Sequence, residues 1–124
     1  MTEDLKIEGT EDSPVVDLNG EKGEILISGR SLPEDAFSFY APVMQWLSDY
    51  TKAPKTESVF IFKLEYFNTA SAKQIFKIIG MANDISKNNK VTVKWYYDDG
   101  DRDMLSSGER FSRLTQLPFE YIQH

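Results

Sequence analysis

The residues with most chemistry to offer sit in one short stretch, Asn68-Thr69-Ala70-Ser71, between a β-rich run and an amphipathic helical pattern. Asn, Thr and Ser side chains each accept hydrogen bonds from the free backbone N–H groups of a helix start, and one such acceptor is enough. Ser71 with Gln74 also matches a capping box, which would begin the helix later than capping by Asn68 or Thr69. Three capable side chains therefore leave a hydroxyl spare. A phosphate there would add a charge of about -1.5 to -2 and meet the positive end of the helix dipole, so modification need not melt the helix. The strand-to-helix turns of α/β folds also open at the carboxyl ends of the strands, where such folds bind their ligands. On the residues themselves two readings stay open: a cap alone, or a cap beside a modified hydroxyl.

Other reactive groups lack companions. His124 is the only histidine and the last residue, and cysteine is absent, so Ser-His-Asp and Cys-His catalysis, disulfides and thiolate metal sites have no material. Asp98, Asp99, Asp101 and Asp103 invite a cation, but an EF-hand loop needs acidic ligands where Trp95 and Tyr97 stand. Turn formation and the dipole of a following helix account for these aspartates more simply. Gly20, Gly23 and Gly29 scatter around one hairpin and form no phosphate-cradling run. Glu34-Asp35 and Glu57 with Glu65 have no companion base or nucleophile and read as solvated surface. Phe37, Phe39, Tyr40, Trp46, Tyr50, Trp95, Tyr96 and Tyr97 suggest a stacking platform for single-stranded nucleic acid, but only Lys94 is interleaved with them, and core packing explains most. The expectation is a non-enzymatic chain with no cofactor and no metal.

The formal net charge of -6 opposes nonspecific binding to nucleic acid or to anionic membranes. The start, MTEDLKIEGTED, has no apolar stretch of a secretory signal, and VFIF is too short to cross a bilayer. With cysteine absent, these features point to a cytoplasmic protein without membrane insertion. At 124 residues, 40% hydrophobic and 27% charged, the chain reads as a single globular domain, 1–124, with residues 1–12 a polar lead-in, either a tail or an edge segment.

The elements that must position the turn follow from periodicity. Val15 to Leu18 and Ile25 to Ile27 flank a Gly/Asn-rich turn at Asn19–Gly23, a hairpin signature. Phe39, Tyr40, Val43, Trp46, Leu47 and Tyr50 have helical spacing. Pro42 removes a donor, so a short turn from Pro33 and a main helix beginning close to Pro42 are expected. In SVFIFKLEYF, alternation puts Phe60, Phe62, Leu64 and Tyr66 on one face of an interior strand. Ile75, Ile78, Ile79, Ala82 and Ile85 form the stripe of the next helix, and KNNK ends it with an asparagine suited to the left-handed conformation. VTVKWYY is a further strand, Met104, Leu105, Phe111 and Leu114 mark a third helix, and Pro118 precedes a last strand, FEYI. The order ββαβαβαβ implies an α/β domain: a mixed, mostly parallel sheet with an N-terminal β-hairpin, joined by right-handed crossovers with helices packed on it.

The segments LPED, FYAPVMQWLSDY, LEYFNTASAKQIF, VKWYYDDGDRDM and LPFEYI together resemble the SiaC family of bacterial regulatory phosphoproteins over nearly the whole chain, with YFNTASAK the most specific element. The turn also resembles the phosphoserine turn of STAS-domain anti-anti-sigma factors. The resemblance implies a STAS-like, non-enzymatic domain phosphorylated on the threonine after the asparagine, Thr69 here, by a serine/threonine kinase and restored by a PP2C-type phosphatase. It implies that the unphosphorylated form binds and activates a diguanylate cyclase and so raises cyclic-di-GMP. The alternative is an anti-anti-sigma factor in a partner-switching cascade on transcription. Ala70 stands where a second small hydroxyl residue is common, which favours Thr69 as the single acceptor. On this reading Asn68 and Ser71 shape and cap the turn, and Tyr66 and Lys73 contribute to a docking surface.

Overall fold

The computed structural model describes residues 3–124. The elements are β1 (Leu5–Ile7), β2 (Val15–Asn19), β3 (Glu24–Ser31), α1 (Ala36–Tyr50), β4 (Glu57–Phe67), α2 (Thr69–Ile85), β5 (Lys90–Tyr97), α3 (Arg102–Arg113) and β6 (Phe119–Gln123). From β2 onward this is the expected order. The lead-in supplies one edge strand more, because Leu5 and Ile7 pair in register with Leu18 and Val16.

The six strands lie side by side in chain order, antiparallel from β1 to β3 and parallel from β3 to β6. Successive parallel strands that always step the same way, each through a right-handed crossover, put every crossover helix on the same face of the sheet. The side chains agree. Val16, Leu18, Ile25, Ile27, Phe60, Phe62, Val93 and Trp95 point into one buried layer. The residues alternating with them, among them Leu26, Ile61 and Lys94, are only partly covered. On that outer face the Lys63 ammonium lies 4.6 Å from the centre of the Tyr96 ring.

The hairpin turn follows its sequence. Asn19 Oδ1 accepts from Lys22 N at 2.9 Å, and Gly23 has a φ of 68°; a Cβ there would come within 2.6 Å of the Glu57 carbonyl oxygen. That combination leaves glycine as the unstrained choice.

The first helix departs from expectation. It begins at Ala36 rather than near Pro42, and Asp35 caps it, accepting from Ser38 N at 3.1 Å and from Ser38 Oγ at 2.8 Å. The proline forfeits a hydrogen bond at a cost of about 3 kcal/mol in a helix interior. Against that, Tyr40, Val43, Leu47 and Tyr50 are at most 1% exposed, and burying each large apolar side chain contributes about 1.5–3 kcal/mol. The stripe outweighs the ring, which sits on the exposed side.

The end of the second helix also differs. Ser86 is its C-cap in the right-handed region, and no non-glycine among the described residues has a positive φ, so neither Asn88 nor Asn89 is left-handed. Both instead donate back to the Ile85 carbonyl, at 3.2 and 3.0 Å. The acidic turn serves the third helix, since Asp101 caps α3 and accepts from Met104 N at 3.0 Å. Among the described residues no acidic or histidine cluster could hold a metal ion, and no helix is long and apolar enough to cross a membrane. His124 is an anchor for the chain end, with Nε2 3.3 Å from the Asp98 carboxylate and its N–H donating to the Tyr97 carbonyl.

Candidate functional site

The turn after β4 is set by a β-bulge. Leu64 pairs with Gly29 and Tyr66 with Arg30, which leaves Glu65 without a partner on β3. An extra residue in one strand reverses the alternation beyond it. Phe67, not Tyr66, therefore returns to the core, where its ring meets those of Trp95 (centroids 6.5 Å apart) and Phe111 (6.3 Å). Simple alternation would put Tyr66 on the face of Phe60, Phe62 and Leu64; the bulge turns it outward, and it is 53% exposed.

Directly after the bulge the chain enters α2. Asn68 is extended (φ -86°, ψ 175°), and its Oδ1 accepts from Ser71 N at 2.8 Å, so Asn68 is the cap. Its own N–H donates to the Ser31 carbonyl at 3.1 Å, tying the cap to the end of β3. The alternative capping box opened by Ser71 does not form, because Ser71 is already inside the first turn and fully buried. Ser71 fastens the turn from within. Its Oγ donates to the Ser31 carbonyl at 3.0 Å and accepts from Ser31 Oγ at 2.8 Å. Ser31 Oγ lies 2.6 Å from the Tyr40 hydroxyl, and since Ser31 has spent its single proton on Ser71, Tyr40 is the donor there. Burial pushes the Tyr40 phenol up to about 12, against the opposing effect of the Ser31 hydrogen bond, so the donor proton stays in place at neutral pH.

Thr69 is the opposite case. It is the first residue of α2, exposed, and among the described residues its hydroxyl makes no hydrogen bond. It opens onto a hollow lined by Glu34, Asp35, Ala36, Phe37, Thr69, Ala70, Lys73 and Gln74, where the N-terminal ends of α1 and α2 meet. Both helix dipoles present their positive ends there. The Ser38 side chain, helped by its backbone N–H, holds the Asp35 carboxyl below its ordinary range, so an anionic group already occupies the α1 side.

Of the residues expected to form the site, Asn68, Thr69 and Lys73 come together at this turn, Ser71 lies beneath it, and Tyr66 faces elsewhere. Phe37, one of the aromatics weighed above as a stacking platform, joins the hollow. It is 69% exposed, and its signal was spacing, since it falls off the stripe of Ala36, Tyr40, Val43 and Leu47. A larger open hollow lies at the other end of the helices, between Asn83, Lys87, Lys90, Arg113 and Leu114; its hydroxyls, those of Ser86 and Thr115, donate to the backbone carbonyls of Asn83 and Ser112.

The whole is a single-domain mixed α/β fold in which α2 opens on an exposed threonine above a buried serine. Residues 7–124 match the SiaC family of regulatory phosphoproteins, and the chain belongs to that family. It is 24% identical over 122 residues to an uncharacterised protein of Pseudomonas aeruginosa strain UCBPP-PA14, covering 98% of this chain and 97% of the other. The fold matches a chain in the crystal structure of the diguanylate cyclase SiaD in complex with its activator SiaC from Pseudomonas aeruginosa. There the TM-score is 0.92 at 24% identity, covering 98% of this chain and 100% of that one. The apo-SiaC crystal structure from the same organism matches with a TM-score of 0.89 at 24% identity, covering 97% and 98%.

Proposed function

We propose that this chain is a non-enzymatic, cytoplasmic switch protein. A serine/threonine kinase phosphorylates it on Thr69, a PP2C-type phosphatase restores it, and the unphosphorylated form binds and activates a diguanylate cyclase. The observation that carries the site is the contrast between two hydroxyls in one turn: Thr69 is exposed and unbonded among the described residues, while Ser71 is fully buried. A kinase reaches the first without unfolding the helix and cannot reach the second. The new charge, about -1.5 to -2, sits at a helix N-terminus that tolerates it and beside Glu34 and Asp35, which it reinforces. The partner's class is supported by family membership and by the SiaC–SiaD complex of the structural relative.

The test is incubation with the cognate kinase and ATP, read by intact-mass spectrometry. One phosphate is expected, absent from Thr69→Ala and present in Ser71→Ala; equal labelling of Thr69→Ala rejects the site. Thr69→Ala should retain cyclase binding and Thr69→Glu should weaken it. Recovery of an anti-sigma ATPase in place of a cyclase would move the chain to the transcriptional alternative.

A further inference from the structure

We propose that Lys73 is the cation through which the switch works. In the unphosphorylated chain it joins Phe76 and Lys77 on the outer face of α2 to hold an acidic, amphipathic helix of the partner, and a phosphate on Thr69 withdraws it. This rests on the reading of Thr69 above and adds to it a docking surface and a means of release.

Ile75, Ile78, Ile79 and Ala82 are fully buried. The opposite side of the helix therefore carries Thr69, Lys73, Phe76 and Gly80, spaced by four, three and four residues. Those are the intervals of a seam on which a second helix packs. Phe76 is 45% exposed on a helix whose isoleucines are at most 5% exposed. A Cβ added to Gly80 would meet nothing within 4 Å, so the backbone is bare and open to close approach. Across the hollow, exposed Phe37 continues the apolar surface past Thr69.

Charge selects the occupant. The chain carries a formal net charge of -6, yet this face presents Lys73 and Lys77, neither of which has an ion-pair partner among the described residues. The single acidic residue of α2, Asp84, lies at the far end of the helix against Lys87. A helix with acidic flanks complements that surface. Thr69 precedes Lys73 by four residues, the spacing and order in which an anion pairs best with a lysine along a helix. Among the described residues Lys73 is also the only cation lining the hollow, whose other charged groups are Glu34 and Asp35. A phosphate on Thr69 thus takes Lys73 for itself and sets an anion where the partner's carboxylates would come.

The experiment measures affinity of the full chain, unphosphorylated and phosphorylated, for its purified diguanylate cyclase. Phe76→Ala should weaken binding by about 30-fold, the effect of losing a central aromatic anchor. Lys73→Gln should weaken it by about fivefold and shrink the further loss on phosphorylation, while Lys73→Arg preserves both. These side chains are exposed, so thermal unfolding should be unchanged, which separates lost docking from lost fold. If Phe76→Ala and Lys73→Gln both bind within about twofold of wild type, the surface is wrong, even when phosphorylation still releases the cyclase. If Lys94→Glu alone weakens binding, the partner sits on the uncovered sheet face and the proposal falls. A phosphorylated wild type that binds as tightly as the unphosphorylated one overturns the reading of Thr69 and leaves the docking surface to stand on the Phe76 result.

Discussion

The Tyr40 hydroxyl lies 2.6 Å from Oγ of Ser31, which lies 2.8 Å from Oγ of Ser71, so helix α1 is joined through the end of β3 to the first turn of α2. All three residues are fully buried, and among the described residues no buried polar side-chain atom lacks a partner. Tyr40→Phe keeps the ring and removes the proton donated to Ser31. A loss of about 1 kcal/mol is expected, a drop in Tm of roughly 4 °C, measured by thermal unfolding at pH 7.

The same phenol gives a pH signature. Its pKa in the folded chain is raised from 10.0 to about 12, so the folded state holds the proton more tightly than the unfolded chain does. The stabilisation is complete below pH 10 and is lost as pH rises towards 12. Urea midpoints of wild type and Tyr40→Phe should converge and then cross over that interval, because so large a rise in pKa outweighs a hydrogen bond of about 1 kcal/mol. A constant gap between them would show that Tyr40 does not titrate as its burial demands.

Asn68 is predicted to matter as an acceptor. Asn68→Ala should cost about 1 kcal/mol, the ordinary value of an N-cap, whereas Asn68→Asp should restore it, since a carboxylate accepts from Ser71 N equally well and suits the helix dipole. Urea denaturation of the two variants checks the ordering.

Gly108 lies against the indole that organises the core under α3. Trp95 sits between the rings of Phe62 (centroids 5.4 Å apart) and Phe111 (5.7 Å), and its Nε1 donates to the Met104 carbonyl at 2.9 Å. A Cβ on Gly108 would fall 2.5 Å from Cδ1 of that ring. Gly108→Ala gains about 1 kcal/mol of helix propensity, but overpacking costs about 1–3 kcal/mol, so net destabilisation is expected. Chemical denaturation should show it, with a changed near-ultraviolet signal from the displaced indole.

Pro42 is predicted to be a defect that packing overrides. Its ring is exposed, so Pro42→Ala removes nothing from the core and gives the helix back a donor. Stability should rise by on the order of 1 kcal/mol, part of the proline penalty being offset by the freer unfolded chain. A fall would mean that the helix has been shaped around the ring.

Periodicity made the strands and the second and third helices legible, because apolar alternation and helical stripes are local properties. What it could not register was decided elsewhere in the chain. The strand at Leu5–Ile7 offers only two apolar side chains and exists by pairing with β2. The bulge at Glu65 depends on the register of β3, so the strand's own alternation misplaces Tyr66. Pro42 obeys a local rule that a long buried stripe overrules. At the site, residue types alone pointed to Asn68 and Thr69. The burial of Ser71 is dictated by Ser31, which stands 40 positions earlier. Phe37 looks like one more core aromatic until the phase of its helix is fixed.

The burial of Ser71 beside the exposure of Thr69 also limits what this turn can say. A surface with several open hydroxyls can be marked once, twice or in different combinations, and its output can be graded. Here the turn exposes one hydroxyl, that of Thr69, and its neighbour two positions on is sealed in the core. On the proposed reading of Thr69 the turn stores a single bit, and gradation comes from how many copies of the molecule are marked rather than from how heavily each one is.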